Sequence, residues 1–402
     1  MKRWFVLIAG VMCQTALGGI YAWSTFVPHF VNTYNLTNAQ CGLIFGVMVA
    51  TFTVATLPAG SLLVKVGPRI TAGIGALLFA AGYVLSSFSG GNYLFLIASL
   101  GIVVGTGIGF AYVCPLTVGM KWFPENKGLV TGISVAGFGV GAILLSSIAE
   151  RLLLTMDVLL VFRIIGLILG GLAFVSAMFM SEPSKQKNSG QGVQSKVSIR
   201  AYLFSSQFLL IIFAMFASTF AGLLISGNLK PMKLSLGLSD AHATLTISLF
   251  AIGNTIGRLV WGQIHDHLKS RNTVVISLLY LGVSVLPILW VRGPTGAFLT
   301  SALVGFGFGA SFVVYASSVV EKFGVDLLPR LYPICFMAYG FAALIGPAVG
   351  GWMADLSGSY SYALISSAGI VFFALALIYI GFSKKGTGQT ADEPLEAVTS
   401  EM

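Results

Sequence analysis

SEPSKQKNSGQGVQSKVSIR, from Ser181 to Arg200, separates two long apolar tracts of a 402-residue chain. It is rich in Ser, Gly, Gln and Lys, the composition of a flexible, solvated connection. Runs long enough to cross a bilayer, about 20 residues each, precede it at 4–30, 41–64, 70–88, 93–118, 128–149 and 158–180. Six more follow at 202–226, 242–264, 273–291, 296–320, 331–354 and 360–382. The pattern predicts an all-α integral membrane protein of twelve transmembrane helices. One six-helix half covers 1–180, a linker 181–201, and a second six-helix half 202–382. A tail over 383–402 carries Asp392, Glu393, Glu396 and Glu401 with no apolar period, and is expected to be disordered.

Composition supports the membrane assignment. The chain is 56% hydrophobic and 9% charged, with a mean hydropathy of +0.92. Soluble domains carry about 25% charged residues, so a water-soluble globule is excluded. Cys13, Cys41, Cys114 and Cys335 all fall in apolar runs without paired spacing, as small buried hydrophobes do. The opening MKRWFVLIAG has the basic start and apolar run of a signal peptide. No small-x-small cleavage pattern closes it, however, and the run continues through Tyr21 and Trp23 to Phe30. It is expected to be the first span.

A net charge of +9 would suggest nucleic acid in a soluble protein. Its placement points elsewhere. With an even number of spans and the N-terminus inside, sixteen of the 22 Lys and Arg residues fall in inner segments. Four fall outside (Arg151, Lys230, Lys233, Arg292), and Arg163 and Arg258 lie within spans. The basic excess is a topology signal and leaves no support for a nucleic-acid partner. It predicts a multi-pass protein of the plasma (bacterial inner) membrane with both termini cytoplasmic and the lipid bilayer as its surroundings.

The two halves repeat each other. GTGIGFAY (Gly105–Tyr112) in span 4 aligns without gaps on GFGFGASF (Gly305–Phe312) in span 10. Repeated halves with a substrate held between them are a common transporter design. GSLLVKVGPR (Gly60–Arg69) after span 2 and GQIHDHLKSR (Gly262–Arg271) after span 8 resemble the loop motif of the major facilitator superfamily. The second copy keeps Asp266 and Arg271; the first keeps Lys65 and Arg69 but has Val64 in the acid's place. YAWSTF (Tyr21–Phe26), WFPENKGLVTG (Trp122–Gly132), GNTIGR (Gly253–Arg258) and DLSGSY (Asp355–Tyr360) narrow this. Together they resemble the oxalate:formate antiporter family and its monocarboxylate-transporting relatives. The resemblance covers both halves and implies a twelve-helix carrier of small organic acid anions.

Within AIGNTIGRLVWGQIHDH (Ala251–His267), Arg258 interrupts an apolar run. A charge at the centre of a span costs about 2.5–3.5 kcal/mol on insertion scales. Ile247, Ala251, Asn254, Arg258, Trp261 and His265 share one helical face, which reads as the wall of a cavity. A guanidinium matches a carboxylate with two parallel hydrogen bonds. The competing role is a structural arginine bridging backbone carbonyls or a fixed acid. Yet all thirteen acids fall in loops, tails or helix ends, so a bound anion is the expected counter-charge. Arg163, near the outer end of span 6, is expected to be structural, within reach of Glu150 or Asp157.

Departures from the family refine the expected substrate. The resemblance implies a second cation, a lysine, in span 11 of oxalate-transporting relatives; the alignment on Tyr332–Ala338 puts Tyr339 in that slot. One cation matches one carboxylate, which argues for lactate, pyruvate, acetate or formate. Animal monocarboxylate transporters carry an Asp where Asn254 stands, so a proton relay through that acid is not expected. Tyr112, Tyr21 and Tyr339 are further candidate contacts, with Ser24 and Gln14 weaker ones. GPAVGG (Gly346–Gly351) reads as a kink and close-packing site. GTGIG lacks the strand and acid of a dinucleotide loop, and there is no HExxH, Walker loop or CxxC. No enzyme, cofactor or metal is expected. The expected protein is a monomeric carrier working by alternating access, by proton symport first and anion exchange second. A channel or a drug exporter of the same fold is the rival.

Overall fold

The computed structural model describes residues 2–123, 127–183, 202–324 and 327–383. Most of the expected linker, nearly all of the tail, and residues 124–126 of the WFPENKGLVTG stretch lie outside them. Among the described residues there is no strand, and twelve helices are long and apolar enough to span a membrane. They are α1 Arg3–Thr25, α2 Asn38–Val66, α3 Pro68–Ser86, α4 Tyr93–Trp122, α5 Gly132–Leu153 and α6 Val158–Phe179. The second half contains α7 Ser206–Gly227, α8 Asp240–Leu268, α9 Ser270–Leu289, α10 Pro294–Phe323, α11 Leu331–Ser357 and α12 Ser361–Gly381. In a bilayer core the backbone must satisfy itself, which is why runs of this length become helices.

Side chains set several helix starts. Thr37 opens α2 with a capping box: its Oγ1 accepts from Gln40 N at 3.1 Å, and Gln40 Oε1 accepts from Thr37 N at 2.9 Å. Asp157 accepts from Leu159 N at 2.8 Å at the start of α6, and Ser239 accepts from His242 N at 3.4 Å at the start of α8. Such caps contribute about 1 kcal/mol each. Cys13, Cys41, Cys114 and Cys335 are all buried free thiols.

Two elements depart from expectation. The first span ends at Thr25, not Phe30. It tightens into a 3-10 segment over Gly19–Thr25, after which a separate helix, Val27–Tyr34, begins with Pro28 in its first turn. The cause lies in packing as well as sequence: a Cβ on Gly18 would sit 1.9 Å from Phe138 O, so only glycine lets α1 approach α5 here. Spans 8 and 9 form one helical element, Asp240–Val285, in which the spans divide at 269. No Gly or Pro occurs between Gln263 and Leu281 to break it.

The halves meet most closely at the end of the bundle opposite the termini, called the far end below. There α2 packs against α11, and α5 against α8. A Cβ on Gly42 would lie 2.3 Å from Pro347 O in GPAVGG, so glycine is required for α2 to lie on α11, which runs as one helix through Pro333 and Pro347. Asp355 at the end of α11 accepts from Asn38 N at 3.2 Å, Asn38 Nδ2 at 2.7 Å and Ala39 N at 2.9 Å, capping the helix of the other half. Tyr360 Oη donates to Asn38 Oδ1 at 3.3 Å. Both residues belong to the DLSGSY stretch, which therefore locks the far end. At the other end of α2, a Cβ on Gly60 would meet no atom within 4 Å. Of the described ion pairs there, Lys121–Glu182 ties the first half to the start of the linker and His265–Glu321 stays within the second half, so neither joins one half to the other.

Candidate functional site: a cavity between the halves

A narrow cleft with a free volume of about 10 Å³ lies between the halves. From the first half, Tyr21 of α1 and Phe138 and Gly139 of α5 line it; from the second, Ile247, Phe250, Ala251, Asn254, Thr255 and Arg258 of α8. The α8 residues follow helical spacing, so one face of one helix forms most of the second wall. A Cβ on Gly139 would meet Thr255 Oγ1 at 2.4 Å, so this glycine keeps the two walls in contact.

Arg258 is half-buried at this cleft. Its Nε donates to Asn254 Oδ1 at 3.4 Å, one helical turn away, and its Cζ lies 4.1 Å from the Phe312 ring centroid. The face of that ring attracts the cation and fixes the plane of the guanidinium. The Tyr21 and Tyr112 hydroxyls interact with the same group. Among the described residues, no carboxylate forms an ion pair with Arg258. The cation is therefore held by an amide, a ring and hydroxyls, none of which neutralises it.

The sequence-predicted residues divide into three groups. Arg258, Asn254, Tyr21, Tyr112 and Tyr339 come together. Tyr339 Oη and Tyr21 Oη are hydrogen-bonded at 2.8 Å across the halves, and Tyr112 packs edge-on against Phe52 and Phe138. Trp261 and His265 leave the predicted stripe. Trp261 packs on Tyr280 and Phe306, and His265 Nε2 lies 3.7 Å from a Glu321 carboxylate oxygen. The loop-motif residues stand apart from the cavity. Asp266, Lys65 and Arg69 are exposed, and Arg271 lies over the Tyr379 ring at 5.7 Å. The acid that organises this end of α8 and α9 is Glu321, which accepts from Ser270 N at 2.7 Å. Sequence reasoning missed Glu321, Phe312 and Thr255; Thr255 carried a signal as a neighbour of Asn254 on the same helix, and Phe312 carried one as the repeat counterpart of Tyr112.

Gln14 is fully buried, its Nε2 donating to Tyr112 O at 3.4 Å, and Ser24 is buried in the 3-10 segment; neither lines the cleft. Arg163 is structural as expected, but with different partners. Its Nε donates to Ser87 Oγ at 3.1 Å, and its Cζ lies 4.7 Å from the Phe88 ring centroid. Asp157, one of its expected partners, instead caps α6 and accepts from Tyr34 Oη at 3.0 Å.

A second polar cluster closes the far end. Glu150 of α5 accepts on Oε2 from Lys230 Nζ at 2.5 Å and from Thr244 Oγ1 at 2.7 Å. Lys230 also pairs with Asp240 at 3.3 Å, and Ser146 and Ser248 are hydrogen-bonded at 3.4 Å beneath it. Lys233, one turn on in the short helix Leu229–Ser235, is 1% exposed and donates to Thr300 Oγ1 at 3.3 Å. Burial pushes its ammonium down to about 8. Burial, and after it the charge of Lys230, also lowers the His29 imidazole beside this cluster.

Twelve spans in two six-helix halves, a cavity between them and an unneutralised cation in its wall define a membrane transporter, not an enzyme. The chain belongs to the Major Facilitator Superfamily, whose model matches residues 7–332. It is 26% identical over 392 residues to the oxalate:formate antiporter of Oxalobacter formigenes, covering 94% of this chain and 92% of that one. It is 25% identical over 400 residues to monocarboxylate transporter 12-B of Danio rerio, covering 88% and 81%. In fold it is similar to the crystal structure of a bacterial homologue of the human lysosomal transporter Spinster, with a TM-score of 0.74 and 16% identity over 94% of this chain and 96% of that one.

Proposed function

We propose that the protein is a secondary carrier of small monocarboxylates such as lactate, pyruvate, acetate or formate, working by alternating access. One observation carries this: a guanidinium held at the cavity wall with no carboxylate among the described residues to neutralise it. A bound carboxylate supplies that counter-charge and accepts the paired hydrogen bonds. Asn254 and Phe312 fix the guanidinium plane, while the Tyr21 and Tyr112 hydroxyls are placed to donate to the substrate. The single cation and the narrow cleft favour one carboxylate over two. The names of the two relatives, an oxalate:formate antiporter and a monocarboxylate transporter, support the substrate class. The excess of Lys and Arg at the end with the termini supports a cytoplasmic position for that end, in a bacterial inner membrane. The far end then faces out. The carrier acts as a monomer, each chain holding its own cavity.

Coupling is by proton symport. Among the described residues no carboxylate or histidine lines the cleft, so the proton crosses together with the anion: the carboxylate pairs with Arg258, and anion and proton together add no net charge to the carrier as the halves reorient. The same observation favours anion exchange as the second reading, because an empty carrier with Arg258 bare reorients slowly. Proteoliposomes separate the two. Symport gives accumulation driven by an imposed pH gradient and faster uptake at acid pH. Accumulation driven by membrane potential alone, or flux indifferent to the gradient but requiring internal anion, would leave exchange. Saturable competition by small acids and not by lipophilic cations distinguishes the carrier from a drug exporter.

A further inference from the structure

The Glu150 cluster is built asymmetrically. The carboxylate belongs to α5 in the first half, whereas both of its donors, Lys230 Nζ and Thr244 Oγ1, belong to the second. Lys230 is completely buried and Thr244 is 5% exposed, so the donors form a made site and not a solvated surface pair. An ammonium and a hydroxyl converging on one carboxylate oxygen is a carboxylate-binding set. Lys233 lies three residues from Lys230, with no acid partner among the described residues, and adds a second positive charge nearby. Nearby Asp240 offsets part of this charge, but its side chain is 68% exposed and well solvated.

Alternating access requires the halves to part at the far end. Glu150 then leaves with its own half, and Lys230 and Thr244 remain on theirs. An ammonium stripped of its partner and open to solution attracts the next available carboxylate. Thr244 is also the start of a polar track along α8. Ser248 and Thr255 continue it toward Arg258, fourteen residues and about 21 Å further along the helix at 1.5 Å per residue.

We propose that Lys230 and Thr244 form a capture site for the substrate carboxylate at the outer mouth, filled by the Glu150 side chain whenever that mouth is shut. The occupant is the small carboxylate of the function proposed above, on which the capture site rests. Substrate and Glu150 compete for the same donors. Substrate at the mouth therefore favours the open state, since it binds a site that exists only when Glu150 has withdrawn.

The test uses membrane vesicles of both orientations from cells carrying the full chain, with labelled lactate, pyruvate, acetate and formate as probes. Lys230→Met raises the half-saturation concentration measured from the far-end side by about tenfold, as the loss of one charge-assisted hydrogen bond does. Glu150→Gln, which weakens the competing carboxylate, lowers the far-side value, and Lys230→Arg keeps it close to wild type. A pure gate clamp behaves differently: removing either partner loosens the same closure, and both variants shift the far-side value in one direction. Such a common direction, or no shift in either variant, overturns the capture site. If Lys230→Met does not insert, Glu150→Gln decides alone, and an unchanged or raised far-side value overturns it. A wild-type protein without saturable uptake of any of the four acids refutes the carrier function itself, which is a distinct result.

Discussion

Tyr21 and Tyr339 join the two halves through one hydrogen bond, hydroxyl to hydroxyl at 2.8 Å, beside the Arg258 guanidinium. Each ring is wedged by its own half: Tyr21 edge-on to Phe138, Tyr339 against Phe312 and Phe336. Because the partners belong to different halves, the bond exists only while the cavity is closed around its centre. Tyr339→Phe removes it and leaves the buried Tyr21 hydroxyl short of a partner, a cost of about 1–3 kcal/mol to the closed form. The expected outcome is a several-fold rise in the half-saturation of substrate counterflow, with insertion intact. Wild-type counterflow in this variant would show that the tyrosine pair does not help to close the site.

Arg258→Lys keeps the charge and loses the planar fork. An ammonium cannot make two parallel bonds to a carboxylate, and it also forgoes the stacked position over Phe312. Losing one charge-assisted bond of about 1.5–3 kcal/mol corresponds to roughly ten- to a hundredfold in transport efficiency. Saturable uptake at wild-type affinity in proteoliposomes would remove Arg258 from the site.

Tyr339→Lys tests the match of one cation to one carboxylate. The new ammonium would stand at the Tyr21 hydroxyl, near Arg258, and supply the second positive charge that a dianion needs. Competition assays with oxalate against lactate are expected to reverse their order of preference. An unchanged profile in a folded variant would show that position 339 does not select for charge.

Lys233 gives a pH-dependent prediction. Its folded-state pKa of about 8 lies below the ordinary 10.5, so the folded protein binds fewer protons than the unfolded chain between those values. Stability from this group therefore rises with pH across that window, and the cost of burying the charge is fully present below pH 8. At about 1.36 kcal/mol per pKa unit, that cost is on the order of 3 kcal/mol. Lys233→Met is expected to melt higher than wild type in detergent at pH 7, with the gain shrinking toward pH 10. An equal gain at both pH values would place the cost in packing and not in charge.

The twelve spans were legible because they depend on local rules. A segment in hydrocarbon must be apolar for about 20 residues and must pair its own backbone, so composition alone marks it. The Arg258–Asn254 contact was legible for the same reason, since four residues along a helix is one turn. The absence of any acid deep in a span is also read directly from the sequence, and it singles out Arg258.

Helical spacing says which residues share a face, but not how far along that face the neighbouring wall extends. The stripe from Ile247 to His265 is continuous in sequence. Packing divides it: Trp261 turns to Tyr280, and His265 to Glu321. Arg163 was placed beside an acid by proximity in the chain, yet it found Ser87 and Phe88 because α6 lies against α3. The ring over Arg258, the tyrosine bridge and the Glu150–Lys230 pair join residues from 54 to 318 positions apart. No periodicity connects positions so distant. Those contacts are set by how two six-helix halves, each separately legible, rest on one another at glycine-thinned faces such as Gly42 on Pro347 and Gly139 on Thr255.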